Sequence, residues 1–94
     1  LGKLVQVKAI IRGMVQGVGY RWFATREAMR FDVTGYVANL PGGDVEVVAE
    51  GEEGMVKEYL KTLKAGPPYS RVTSMETREG EYTGQFSNFG VRYY

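Results

Sequence analysis

The stretch Val5-Gln6-Val7-Lys8-Ala9-Ile10-Ile11-Arg12-Gly13-Met14-Val15-Gln16-Gly17-Val18-Gly19-Tyr20-Arg21 changes character twice. From Val5 to Ile11 the odd positions are apolar, whereas Gln6, Lys8 and Arg12 are polar, the mark of a half-buried strand. The glycines of Gly13 to Gly19 then permit positive φ angles and close approach of backbone to a ligand. At Tyr20 the period lengthens. Tyr20, Phe23, Ala24, Ala28 and Phe31 fall on one face of a helix, and Arg26, Glu27 and Arg30 are expected to face water. Asp32, one of the few non-glycine residues that tolerate the left-handed region, is expected to close this helix.

Outward from there, Thr34 to Asn39 reads as a second strand, and Leu40-Pro41-Gly42-Gly43 as a turn into a third strand beginning at Asp44. In that third strand Val45, Val47 and Ala49 form a dry face and Asp44, Glu46 and Glu50 a wet one, with Gly51 at its end. Val56, Tyr59, Leu60 and Leu63 define a second helix, which Gly66-Pro67-Pro68 stops. Arg71 to Glu79 breaks strict alternation at Val72 and Met75, so an edge strand or a bulge is expected. Gly80 to Asn88 is loop, and Phe89, Val91 and Tyr93 alternate as a short terminal strand.

The order β-α-β-β-α-β with a C-terminal fifth strand is that of an α+β, ferredoxin-like split-βαβ sandwich. Right-handed crossovers place both helices on one face of a mainly antiparallel sheet and leave the other face open. With neither repeat nor linker, residues 1–94 are expected to form a single domain. Residue 1 is Leu and not Met, so altered or missing N-terminal residues are expected.

Composition narrows the chemistry. Absence of cysteine excludes disulfides, thiolate metal sites and cysteine nucleophiles, and absence of histidine removes the usual proton-transfer side chain near neutral pH. Neither a metal nor another cofactor is expected. Twelve basic and eleven acidic residues, scattered in sequence, give a formal charge of +1 and argue against nucleic acid as a partner. The apolar runs are too short to span a bilayer and no signal-peptide core is visible, so a cytoplasmic protein with no membrane partner, and a monomer, is expected.

In a split βαβ unit the first two strands run parallel, so their C-terminal ends emerge together. Two loops therefore converge, one carrying Gly13 to Gly19 and Arg21, the other carrying Asn39. A glycine-rich turn entering a helix presents N–H groups at the positive end of the helix dipole, where phosphate binds. Arg21 adds a planar fork for two phosphate oxygens. Asn39 adds a carboxamide that can donate to a phosphate oxygen or accept from a water, orienting the water without taking its proton. No Gly-Lys-Ser/Thr follows the loop and no βαβαβ run continues, which excludes the usual nucleotide-binding motifs.

The run Gly13-Met14-Val15-Gln16-Gly17-Val18-Gly19-Tyr20-Arg21 closely resembles the first signature of the acylphosphatase family. Gly35-Tyr36-Val37-Ala38-Asn39, followed by Gly43-Asp44-Val45 and Gly51, resembles the second, and the resemblance extends from about Leu4 to Tyr93. It implies a ferredoxin-like fold and hydrolysis of acyl phosphates to a carboxylate and inorganic phosphate. It also implies Arg21 as the phosphate-binding arginine, Asn39 as the water-orienting asparagine, and a phosphate-binding loop of Gly13, Met14, Val15, Gln16, Gly17, Val18, Gly19 and Tyr20. The departures are small: Asp32 stands where many members have Gly, and Gly42 precedes Gly43 where Asp or Asn is common.

Such chemistry suits the composition, because an acyl phosphate expels a carboxylate whose conjugate acid has a pKa of about 4 to 5 and needs no general acid. Two other readings compete. The same topology serves as a single-stranded RNA platform, but Val5 to Ile11 and Val45 to Ala49 lack the aromatics that stack bases. A non-catalytic, anion-binding relative of the family is the other. Nothing in the sequence reads the acyl group.

Overall fold

The computed structural model describes residues 2–94, so the reading of residue 1 lies outside the described residues. Five strands and two helices follow one another as β1 (Leu4–Met14), α1 (Tyr20–Arg30), β2 (Thr34–Asn39), β3 (Val45–Glu52), α2 (Glu53–Ala65), β4 (Arg71–Gly80) and β5 (Phe89–Val91). They build one sheet in the order β4-β1-β3-β2-β5. Strand β3 pairs antiparallel with β1 and with β2, β4 pairs antiparallel with β1, and β5 alone runs parallel to its neighbour. This is the expected split-βαβ sandwich. Both helices pack on one face of the sheet and on each other, where Val7, Ala9, Ile11, Val37 and Val47 meet Phe23, Val56 and Leu63.

Each helix also holds the other through a tyrosine. The Tyr20 hydroxyl donates to the Leu63 carbonyl of α2, and the Tyr59 hydroxyl donates to the Ala24 carbonyl of α1 at 2.8 Å. Burial raises the pKa of both hydroxyls, which keeps them protonated donors. Helix α1 ends as its sequence implies. Asp32 adopts a φ of 55°, and the Asp32 and Val33 N–H groups return to the Met29 and Ala28 carbonyls in a Schellman arrangement.

Several features depart from the sequence reading, among them β5, which ends at Val91 and leaves Tyr93 outside the strand. Strand β1 runs on through Gly13 and Met14, because β4 supplies partners that far, in Val72 and Arg71, and absorbs Thr73 as a bulge. A Cβ on Gly13 would lie 2.0 Å from the Arg71 carbonyl oxygen, so only glycine fits there. Glu27 does not face water; it is 7% exposed and held by Arg26 and Arg30 at 3.2 and 2.8 Å. Of the supposed wet face of β3, Glu46 and Glu50 are buried while Asp44 precedes the strand and stays half-exposed, and the strand runs from Val45 to Glu52 rather than from Asp44 to Gly51.

The cause of the buried glutamates is the C-terminal segment 81–94, which covers part of the sheet face expected to be open. Glu50 accepts hydrogen bonds from Thr83 N, Thr83 Oγ1, Gly84 N and Gln6 Nε2, and is only 1% exposed. Glu46 accepts from the Tyr36 and Tyr94 hydroxyls and pairs with Lys8. Burial alone pushes the Glu50 carboxyl up, but the bonds from Thr83, Gln6 and Gly84 together outweigh it and hold it below the usual carboxylate range.

A carboxyl depressed in the folded state stabilises the fold above its unfolded pKa of about 4.3, and the contribution is lost as pH falls through the lower folded value. Glu50→Gln is expected to cost about 1–3 kcal/mol at neutral pH, because it mismatches buried donors. Urea midpoints measured from pH 7 down to pH 2 should then fall less steeply in the variant; an unaltered slope would remove Glu50 as a source of acid lability.

Candidate functional site

Because β3 separates β1 from β2 and opposes both, the C-terminal ends of β1 and β2 leave the sheet on the same side. The segment after β1 and the turn after β2 are then tied directly. Gln16 Nε2 donates to the Leu40 carbonyl at 2.9 Å and to the Asp44 carbonyl at 2.8 Å. A cavity of about 390 Å³ opens beside this tie, lined by Gly17, Gly19, Arg21 and Asn39 together with Trp22 and Tyr93.

Helix α1 enters the cavity N-terminus first. Its N-cap, Gly19, has φ 78° and ψ 19°, and no side chain caps the helix. None of the turn, loop and cap hydrogen bonds among the described residues starts from the N–H groups of Gln16 through Trp22; the first N–H with a partner is that of Phe23, bonded to the Gly19 carbonyl at 3.0 Å. Free donors at a helix start carry the positive end of the dipole and suit an anion. Arg21 adds a full charge there. It takes part in no ion pair among the described residues, and its guanidinium carbon lies 5.4 Å from the Tyr93 ring centroid.

Asn39 closes strand β2 with its side chain on the helix-covered face, as Val37 two residues earlier is. Its Oδ1 is buried and has no hydrogen-bond partner. Leaving such an acceptor unpaired costs about 1–3 kcal/mol, so an orphan of this kind marks a position held for something other than packing.

The remaining residues of the expected loop divide by role. Val15 is buried and also lines the cavity, while Val18 packs at the margin of the core. Tyr20 lines the cavity at the start of α1, with its hydroxyl committed to Leu63. Gly13 and Met14 belong to β1 and do not line the cavity. Trp22, Thr25, Val91 and Tyr93 line it without having been singled out in the sequence. Two signals were available: Trp22 is a large aromatic off the apolar stripe of α1, and Tyr93 continues the sequence alternation of Phe89 and Val91 beyond the end of β5.

Among the described residues no group of three or more carboxylates gathers as a metal site, and no helix is long and apolar enough to cross a membrane. A ferredoxin-like sandwich with an uncapped helix start, an unpaired arginine and an asparagine with an orphaned Oδ1 around one cavity defines an α+β protein whose site suits an anion. Comparison with known proteins narrows this further. The family profile described as Acylphosphatase matches residues 7–91. A curated acylphosphatase of Caldivirga maquilingensis is 46% identical over 94 residues, covering 99% of each chain. The crystal structure of acylphosphatase from Bacillus subtilis superposes with a TM-score of 0.91 at 35% identity, covering 95% of this chain and 99% of that one. An acylphosphatase structure from Coxiella burnetii gives 0.89 at 34% identity, covering 95% and 93%. The chain belongs to the acylphosphatase family.

The Gln16 tie generates a direct expectation. Gln16→Ala should leave the far-ultraviolet spectrum unchanged, lower stability by about 1 kcal/mol and weaken inhibition by inorganic phosphate, since the loop loses its anchor to the Asn39 turn. Inhibition equal to that of the unaltered protein would show that the loop holds its shape without the tie.

Proposed function

We propose that the chain, acting as a single domain over residues 1–94, hydrolyses acyl phosphates to a carboxylate and inorganic phosphate with no metal or other cofactor. The observation that carries this reading is the meeting, around one cavity, of Arg21, the open start of α1 and Asn39, whose buried Oδ1 has no partner. The proposal includes a cytoplasmic monomer with small-molecule substrates and with neither nucleic acid nor membrane as a partner.

In this reading the phosphoryl dianion sits on the N–H groups from Gln16 to Trp22, within the loop of Val15, Gln16, Gly17, Val18, Gly19 and Tyr20. Gly13 and Met14 deliver the chain into that loop from the sheet. The Arg21 fork contacts two phosphoryl oxygens. Asn39 Oδ1 accepts a hydrogen bond from the attacking water and aims its oxygen at phosphorus, while the carboxamide leaves the water's protons in place. The water oxygen bonds to phosphorus as the bond to the acyl oxygen breaks, through a loose transition state in which positioning and charge stabilisation dominate. The departing carboxylate is stable unprotonated, which is why no histidine is required. A phosphate monoester would expel an alkoxide and find no acid.

An arginine on a transferring phosphoryl group contributes roughly 10³ to 10⁵ in rate, about 4 to 7 kcal/mol. Arg21→Lys keeps the charge, loses the fork and is expected to lose most of kcat/KM on an aryl acyl phosphate; near-normal turnover would take Arg21 out of the mechanism. Asn39→Ala is expected to retain inhibition by inorganic phosphate while kcat collapses, and an unchanged kcat would exclude water positioning. Both assays are run with a chelator present. Loss of activity on chelation would restore a metal, and a folded but inactive unaltered protein would favour an anion-binding module.

A further inference from the structure

The cavity is larger than its phosphate-binding end requires, because 390 Å³ falls within the range of small-molecule sites. Besides Arg21, Asn39 and the loop residues Val15, Gly17, Gly19 and Tyr20, its lining is Trp22, Thr25, Val91 and Tyr93. Arg21 is the only charged residue in the lining, and the phosphoryl group engages it. A second carboxylate or an amine on the acyl group would therefore meet no charged partner in the cavity.

We propose that Trp22 and Tyr93 form an acyl-recognition rim that selects aryl and bulky apolar acyl phosphates over acetyl phosphate. The proposal rests on the acylphosphatase reading of the same cavity. Trp22 is 65% exposed and Tyr93 77%, so both hold ample apolar surface for a ligand to cover. One large exposed aromatic is commonplace; two at the edge of one cavity form a patch.

Trp22 has a stacking partner, and Tyr93 sits on an anchored stretch of backbone. The Arg26 guanidinium stacks on Trp22 at 4.6 Å from the ring centroid. Tyr93 sits between two anchored neighbours. Arg92 N donates to the Val37 carbonyl at 2.9 Å and its guanidinium lies 3.7 Å from the Tyr36 ring centroid. On the other side the Tyr94 hydroxyl donates to Glu46 at 2.6 Å. A ring carried on backbone anchored in this way contributes contact area at reduced entropic cost. Tyr93 also meets Arg21, so the acyl rim and the phosphate fork touch within one molecule.

The test compares kcat/KM for benzoyl phosphate and acetyl phosphate in the full chain and in Trp22→Ala, Trp22→Phe and Tyr93→Ala. The unaltered protein is expected to favour benzoyl phosphate. Each alanine variant should lower the benzoyl-to-acetyl ratio by roughly 3- to 10-fold, mainly through KM for benzoyl phosphate, and Trp22→Phe should restore it. A ratio unchanged by both alanine variants, or no preference in the unaltered protein, overturns the rim. Turnover of neither substrate would instead sink the acylphosphatase reading, and the rim is then judged by binding. Trp22 is the only tryptophan, so its emission reports on the rim. Phenacylphosphonate, in which CH₂ replaces the bridging oxygen of benzoyl phosphate, should change that emission more than inorganic phosphate does; equal effects overturn the proposal.

Discussion

Strand β3 lies between β1 and β2 and pairs antiparallel with both, and this single constraint makes the site possible. With β3 opposed to each neighbour, β1 and β2 must be parallel, and their C-terminal ends must exit at one edge. The segment after β1 then enters α1, and the last residue of β2 is Asn39. Gln16 converts this approximate meeting into a fixed one by donating to both Leu40 and Asp44 across the gap. The core serves the same end, since Tyr20 begins α1 beside the cavity and anchors it to α2 through Leu63. The geometry of the candidate site is thereby carried by a strand end and a helix start rather than by a long loop.

The electrostatics follow from what the site leaves unpaired. Most charges around the sheet are committed: Glu27 to Arg26 and Arg30, Glu46 to Lys8 and two tyrosines, and Glu50 to the segment at Thr83. Arg21 and Asn39 stand apart from this economy of partners. The uncapped start of α1, an unpaired guanidinium and a residue with a lone amide oxygen gather around one volume, a combination that suits a hydrated anion. Held in advance, such groups stabilise charge without reorganising during the reaction.

Much of this was legible in the residues. Alternation in Val5 to Ile11, the 3.6-residue stripe from Tyr20 and the turn residues Leu40 to Gly43 are local signals, and local sterics make them reliable. Even the left-handed Asp32 could be read, because the cap needs only its own neighbours. What escaped depends on distant partners. Glu46 and Glu50 look solvent-facing until residues 81–94 are laid over them. Gly13 looks like the start of a loop until β4 pairs with it and the Arg71 carbonyl fills the place of its Cβ. Trp22 and Tyr93, far apart in sequence, share a cavity only because β5 runs beside β2 and carries Tyr93 to the level of Asn39.

The central claim is that a cradle of main-chain donors and one guanidinium holds a phosphate facing the Asn39 carboxamide. Titration of the ¹⁵N-labelled protein with inorganic phosphate tests it most directly, by following every backbone and side-chain amide resonance. The largest shifts are expected at the backbone amides of Gln16 to Trp22 and at the Asn39 side chain, saturating together with one dissociation constant. Shifts centred elsewhere in the molecule, or an Asn39 side chain that stays unchanged while the loop saturates, would contradict it.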